Sequence, residues 1–198
     1  MNDAIASPRS NKEIEAIAYT LRDVFGCWHD YVPNLPGILE VEMPKLFPDY
    51  ELVVEEDDDL KDENGNPVLG LTRFSPSQIS LSLSTYRGLL RFEPRARFTA
   101  AHEMGHYFMH FAEKGMQRNS TAASKMINKL LSAERQANHF AACFLVPDYI
   151  ARGFDNPSEL ASALCVSERV AQLRMTDLGI WPPRRPLPDL AIFAGRGR

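Results

Sequence analysis

Apolar residues recur along the chain at intervals that change from helical to alternating and back. Over 12–25 the apolar Ile14, Ile17, Ala18, Leu21 and Val24 fall on one helical face, with Asn11 the expected N-cap and Gly26 the expected stop. A connector bearing Pro33 and Pro36 follows, then a short helix over 38–46 that Pro44 interrupts or ends. Residues 50–55 read as a strand. The acidic run 55–59 and Asn64-Gly65-Asn66-Pro67 read as a solvated hairpin tip, with 68–72 as the return strand. The stretch Ile79-Ser80-Leu81-Ser82-Leu83-Ser84 alternates strictly and predicts a half-buried strand. Helical spacing resumes from Glu93 or Pro94 to about His110, with Pro94 suited to a first turn. Further helices are expected over 121–131 and 133–144, separate or continuous, ended by Val146-Pro147. A hinge at 152–157 leads to two short helices, 158–164 and 167–178, parted by Cys165-Val166.

Strands early and helices late describe an α+β protein, a small mixed or antiparallel sheet packed on helices. The expected organisation is a loose leader over 1–10, a main domain over 11–148, a helical segment over 149–181 and a Pro- and Arg-rich tail over 182–198. A chain of 198 residues with 44% hydrophobic residues can bury a core without disulfides. The net charge of -4 argues against a protein that coats nucleic acid. Cys27, Cys143 and Cys165 are odd in number and far apart, which suits small core residues rather than a disulfide framework or a zinc knuckle. The N-terminus has no secretory pattern and no apolar run is long enough to span a bilayer, so the expected location is cytoplasmic, with no membrane partner. The acidic run lacks the alternation and closing Glu of a calcium loop.

The chemistry concentrates in His102-Glu103-Met104-Gly105-His106. On a helix, residues four apart lie one above the other, so His102 and His106 can aim two imidazoles at one point. Glu103 is one step round, within reach of a ligand bound there. This is the H-E-x-x-H arrangement of a zinc hydrolase, two metal ligands and a general base.

A catalytic zinc ion takes three protein ligands, so one remains to be found. His110 stands eight residues past His102 and is rotated away by roughly 80° on an ideal helix. His139 and the downstream carboxylates are the other candidates, and position 112, where another zinc family carries a third histidine, is Ala112. A glutamate on the following helix is the better answer: Glu134, with Asn138 one turn later to orient a ligand histidine. Taken alone, Glu134 is equally well read as a solvated helix carboxylate. Gly105 implies that another backbone comes close to the helix.

The run Arg97-Phe98-Thr99-Ala100-Ala101-His102-Glu103-Met104-Gly105-His106-Tyr107, followed by Glu134-Arg135-Gln136-Ala137-Asn138-His139-Phe140-Ala141-Ala142-Cys143-Phe144-Leu145-Val146-Pro147, resembles the ImmA/IrrE family of bacterial and phage metallopeptidases. The likeness extends over about 12–180 but is specific only in these two blocks. Departures are Met104, where Leu or Ile is common, and Phe144-Leu145-Val146 in place of a Leu-Leu-Met-like run; neither touches a catalytic group. The resemblance implies a zincin-like fold, His102, His106 and Glu134 as ligands of Zn2+ (or Mn2+ in the cell), and Glu103 as base. It also implies a protein substrate, a helix-turn-helix repressor cut in stress response or mobile-element control. Candidate donors to the developing oxyanion are Tyr107, His110, Tyr86 and Arg87, unranked by the sequence; for Tyr107 and His110, packing is the preferred reading.

Residues 159–175 look like a helix-turn-helix, and similar segments follow the peptidase core in that family. Arg169 and Arg174 are available on its second helix, but Glu168 and Asp177 offset them, so a packing or substrate-docking element is preferred over direct DNA binding. The rival reading of the whole chain is a non-catalytic metal-binding module that docks a protein or DNA. The intact Glu103 speaks against it.

Overall fold

The computed structural model describes residues 7–110 and 132–182. The expected helix over 121–131, residues 1–6 of the leader and the tail from 183 lie outside the described residues.

Helix α1 (Asn11–Val24) is capped by Ser10 rather than Asn11. Ser10 and Glu13 form a reciprocal capping box, which satisfies two of the first-turn donors. Asn11 instead accepts a hydrogen bond from Arg135. Gly26 has φ +65 and turns the chain after Phe25, as its freedom from a Cβ permits. The next helical run is longer than expected: α2 (Leu35–Gly37), a π-helical stretch (Ile38–Glu42) and α3 (Met43–Leu46) follow without a break. Pro44 does not end it, because it falls in the first turn of α3, where its missing N–H costs least. The wider π turn before it absorbs the change of register.

Strands β1 (Glu51–Glu55), β2 (Gly70–Phe74) and β3 (Ser77–Ser82) form one sheet in the order β1-β3-β2. The expected pairing of the first two strands is therefore corrected. β3 lies between them, parallel to β1 and antiparallel to β2. The hairpin turns at Ser75-Pro76, not at Asn64-Gly65. The Asn64-Gly65 turn does form, with Asp62 accepting from the backbone of Asn64 and Asn66, but it closes only the Lys61–Pro67 bridge.

β3 is also not half-buried: 78 to 82 are all buried. Ile79 and Leu81 enter the core. The alternate positions are covered too, Ser80 accepting from Arg73 and Gln78 at 2.9 Å each. The strand stops at Ser82 because that side chain accepts from Thr85 N and starts α4 (Leu83–Leu90), a helix the alternation had concealed.

Helix α5 (Pro94–His110) and helix α6 (Ala133–Leu145) match the sequence reading closely and form the centre of the molecule. α5 packs on α6, on α4 and on the sheet through β2, and α1 covers α6. Two close contacts set the spacing. A Cβ at Gly105 would lie 3.0 Å from Phe140 Cδ1 and 3.1 Å from the Cα of Ala137 on α6. A Cβ at Gly70 would lie 2.8 Å from Glu103 Cγ, so β2 lies flat on the opposite side of α5.

The chain ends, as described, in α7 (Asp148–Ala151), α8 (Pro157–Leu164) and α9 (Glu168–Asp177). α8 and α9 are parted by Cys165 at φ +51, and one hydrophobic core runs from Phe144 through Ile150 to Leu160, Leu164, Ala171 and Met175. Arg174 is buried, donates to the carbonyl of Val146 and pairs with Glu15 of α1. All three cysteines are free. Among the described residues no helix is long and apolar enough to cross a membrane.

The α5–α6 contact yields a direct expectation. Gly105→Ala gains about 1 kcal/mol in helix propensity but forces a methyl against the Ala137 backbone, an overpacking cost of about 1–3 kcal/mol. The net effect is a lower melting temperature, and Gly105→Val lowers it much further. Thermal denaturation of the purified variants checks this order.

Candidate metal centre

Helix α5 stacks His102 over His106, with ring centroids 4.6 Å apart and their Nε2 atoms 3.0 Å apart. Glu134, in the first turn of α6, brings its carboxylate to both: Oε2 is 3.3 Å from His102 Nε2 and Oε1 is 3.3 Å from His106 Nε2. Among the described residues this is the group whose metal-ligating atoms converge, all within 4.8 Å of one another. An ion bound tetrahedrally about 2.0–2.1 Å from nitrogen and oxygen donors requires about 3.3 Å between them. The donor atoms stand at that spacing. Two nitrogen lone pairs and a carboxylate repel one another unless they share a cation, and an N2O donor set suits zinc or another first-row divalent ion.

The histidine side chains are 17% and 15% exposed, and Glu134 is 47% exposed. The centre is thus walled by protein and open on one side. Asn138, four residues after Glu134 on the same face, places Oδ1 3.0 Å from His102 Nδ1. Nδ1–H donates to that oxygen, which leaves the Nε2 lone pair facing the centre. Electrostatics follow from the same contacts. Where protons rather than an ion occupy the two Nε2 positions, the resulting hydrogen bonds from His102 and His106 hold the Glu134 carboxyl well below the usual carboxylate range, against the opposing effect of burial. Burial lowers the affinity of His102 for a proton, but the bond to Glu134 and the charges of Glu103 and Glu134 outweigh it, so its pKa is raised.

Glu103 is buried at 6% exposure. Its Oε2 accepts from Thr72 Oγ1 at 2.7 Å, and the same hydroxyl lies 3.0 Å from the Glu103 carbonyl. Gly70 and Thr72 are two apart on β2 and share a face, the first permitting close approach and the second gripping the carboxylate. Neither residue was singled out from the sequence. The signal for them is a small residue and a hydroxyl alternating along a strand, and it has meaning only once that strand is known to lie on α5.

The remaining candidates are placed elsewhere. Tyr107 is one position past His106, rotated into the core, where its ring packs edge-on with Tyr50 and Phe47 and its hydroxyl meets Ser77 Oγ at 3.0 Å. Tyr86 donates to Glu40 and Arg87 is exposed on α4, so neither side chain reaches the histidine pair among the contacts described. His110 sits beside His106, ring nitrogen to ring nitrogen at 3.3 Å, and is buried. Burial lowers the pKa of His139, whose charged surroundings are Arg174, Asp177, Arg135 and Glu15 rather than the triad.

Residues 92–176 match the family model of peptidase M78, described as the IrrE N-terminal-like domain. No curated protein sequence matches the chain significantly. Among solved structures the fold resembles a Mycobacterium tuberculosis transcriptional regulator, with a TM-score of 0.56, 16% identity, and 89% of this chain aligned. The chain spans 50% of that protein's length. At this identity the likeness concerns the fold.

Purified protein incubated with zinc and dialysed is expected to retain one ion per chain by metal analysis. His102→Ala, His106→Ala and Glu134→Ala are each expected to abolish stoichiometric retention while leaving the far-ultraviolet circular dichroism unchanged.

Proposed function

The chain belongs, through residues 92–176, to the IrrE N-terminal-like peptidase family, and on that premise we propose that it is a zinc-dependent endopeptidase that cleaves a partner regulatory protein. The observation that carries this reading is a buried carboxylate, Glu103, held by Thr72 next to a His102–His106–Glu134 group of metal-ligand spacing. A metal-binding module without turnover has no use for a base fixed in that position.

His102, His106 and Glu134 would hold the ion, which supplies Lewis acidity at the open side of the centre. The remaining chemistry belongs to the chain. Glu103 takes a proton from the attacking water and delivers it to the leaving amine. Thr72 occupies Oε2, and Oε1 accepts no hydrogen bond from the described residues, which leaves it as the oxygen available to act as base. Asn138 fixes the ring of His102. Glu134 is half-exposed at the centre, which favours an extended protein segment over a small enclosed substrate.

The substrate class we propose is a helix-turn-helix repressor, whose cleavage releases genes of a stress response or mobile element. The α8–α9 pair supports docking of such a partner rather than reading of DNA. Of the two basic residues on α9, Arg174 is buried against Val146 and Glu15, and only Arg169 is exposed. A cytoplasmic location suits a substrate of this kind.

The test is to incubate the zinc-loaded protein with repressors encoded nearby and look for one defined cut by mass spectrometry. Glu103→Gln is expected to retain zinc and to lose at least about 10²-fold in cleavage rate. Equal cleavage by wild type and Glu103→Gln would end the peptidase reading. Thr72→Val is expected to lower the rate with zinc content unchanged, and Thr72→Ser to restore it, measured in the same assay.

A further inference from the structure

The two candidate ligand histidines are steadied by different means. His102 leans on Asn138, which is exposed. His106 turns its Nδ1 inward, where two buried polar side chains continue the line of contacts. His110 Nδ1 is 3.3 Å from His106 Nδ1, and His110 Nε2 is 3.2 Å from Gln136 Oε1. Gln136 Nε2 is 2.9 Å from the carbonyl oxygen of Ser7, and Gln136 Oε1 also faces Arg9 Nη1 at 3.4 Å. His110 is 1% exposed and Gln136 0%, so bulk water does not compete for these groups.

We propose that His110 and Gln136 are positioning residues of the metal centre, carrying a directed hydrogen-bond chain from His106 to the Ser7 carbonyl. This rests on the reading of His102, His106 and Glu134 as a metal site.

The direction is set at the far end. A backbone carbonyl can only accept, so Gln136 must present its amide N–H to Ser7. Its Oε1 therefore faces His110 and Arg9, and Arg9 can only donate. Against that oxygen, His110 must carry its hydrogen on Nε2, which leaves Nδ1 a bare acceptor. His106 must then donate from Nδ1, and its Nε2 keeps the lone pair aimed at Glu134 and His102.

The opposite arrangement fails at every joint. If His110 donated to His106, a proton would sit on His106 Nε2 and no ligand would remain. His110 Nε2 would also face a carbonyl oxygen lone pair to lone pair. Rotating the Gln136 amide to repair this would set its oxygen against the Ser7 carbonyl and its N–H2 against Arg9. A chain of three side chains thus selects one tautomer of His106, the one a metal requires. It also ties the segment before α1 to the centre, because the anchor is Ser7.

Two measurements test this. In wild-type protein labelled with 15N and loaded with zinc, long-range 1H–15N spectra of the imidazoles are expected to show hydrogen on Nδ1 of His106 and on Nε2 of His110. Hydrogen on Nδ1 of His110 would overturn the proposal, and this readout needs no variant to fold. Second, zinc affinity is measured by competition with a chromophoric chelator. His110→Phe is expected to lose about 10- to 100-fold, and Gln136→Met to lose less, with the melting temperature of each metal-free variant close to wild type. Wild-type affinity in His110→Phe would overturn the proposal alone. A wild-type protein that takes up no zinc would overturn the metal reading and this proposal together.

Discussion

The close crossing of α5 and α6 is the constraint on which the rest depends. Two helices usually pack with axes about 8–10 Å apart, a distance set by the side chains between them. At Gly105 there is no side chain, and α6 brings Ala137 and Phe140 into direct contact with the α5 backbone. Glu134 stands one turn before that contact on α6, and His102 and His106 flank it on α5. The three donor groups are therefore not gathered by long flexible side chains reaching across a gap. They are gathered by the absence of a methyl group between two helix backbones.

The sheet acts on α5 from the other side. Gly70 lets β2 lie against Glu103, and Thr72 fixes the carboxylate. β2 is held in turn by β3, which is buried on both faces and pinned by Ser80, Gln78 and Arg73. Helix α5 is thus clamped between α6, which brings Glu134 to the two histidines, and β2, which grips the Glu103 carboxylate, the proposed base. An ion at the proposed centre would meet donors already held in place by this double clamp.

Much of this was legible in the sequence, and the division follows physical range. The α5 and α6 boundaries, the stacking of His102 on His106 and the shared face of Glu134 and Asn138 rest on helical periodicity, a relation within a few residues, whereas the grouping of Glu134 with the two histidines rested on the resemblance, since alone it reads equally well as a solvated carboxylate. The role of Gly105 followed from the cost of a glycine inside a helix. What escaped depends on contacts far apart in the chain. β3 alternates like a strand exposed on one face, yet Arg73 and Gln78 cover its polar side, so alternation misstated its burial. The acidic run and Asn64-Gly65 look like a hairpin, but β3 competes for the edge of β1 and wins it. Thr72 and Gln136 are ordinary polar residues until the fold sets one beside Glu103 and the other beneath His110. The rotation of His110 along the helix sets it beside His106 rather than among the converging donor atoms. Its partner was hidden because that partner lies on another helix.

The most direct measurement is a crystal structure of the zinc-soaked protein with anomalous data collected across the zinc edge. The expected result is one strong anomalous peak about 2.0–2.1 Å from His102 Nε2, His106 Nε2 and a Glu134 carboxylate oxygen, with Glu103 beside it on Thr72. A peak elsewhere, or an ion held without Glu134, would contradict the assignment of this helix crossing as the metal centre.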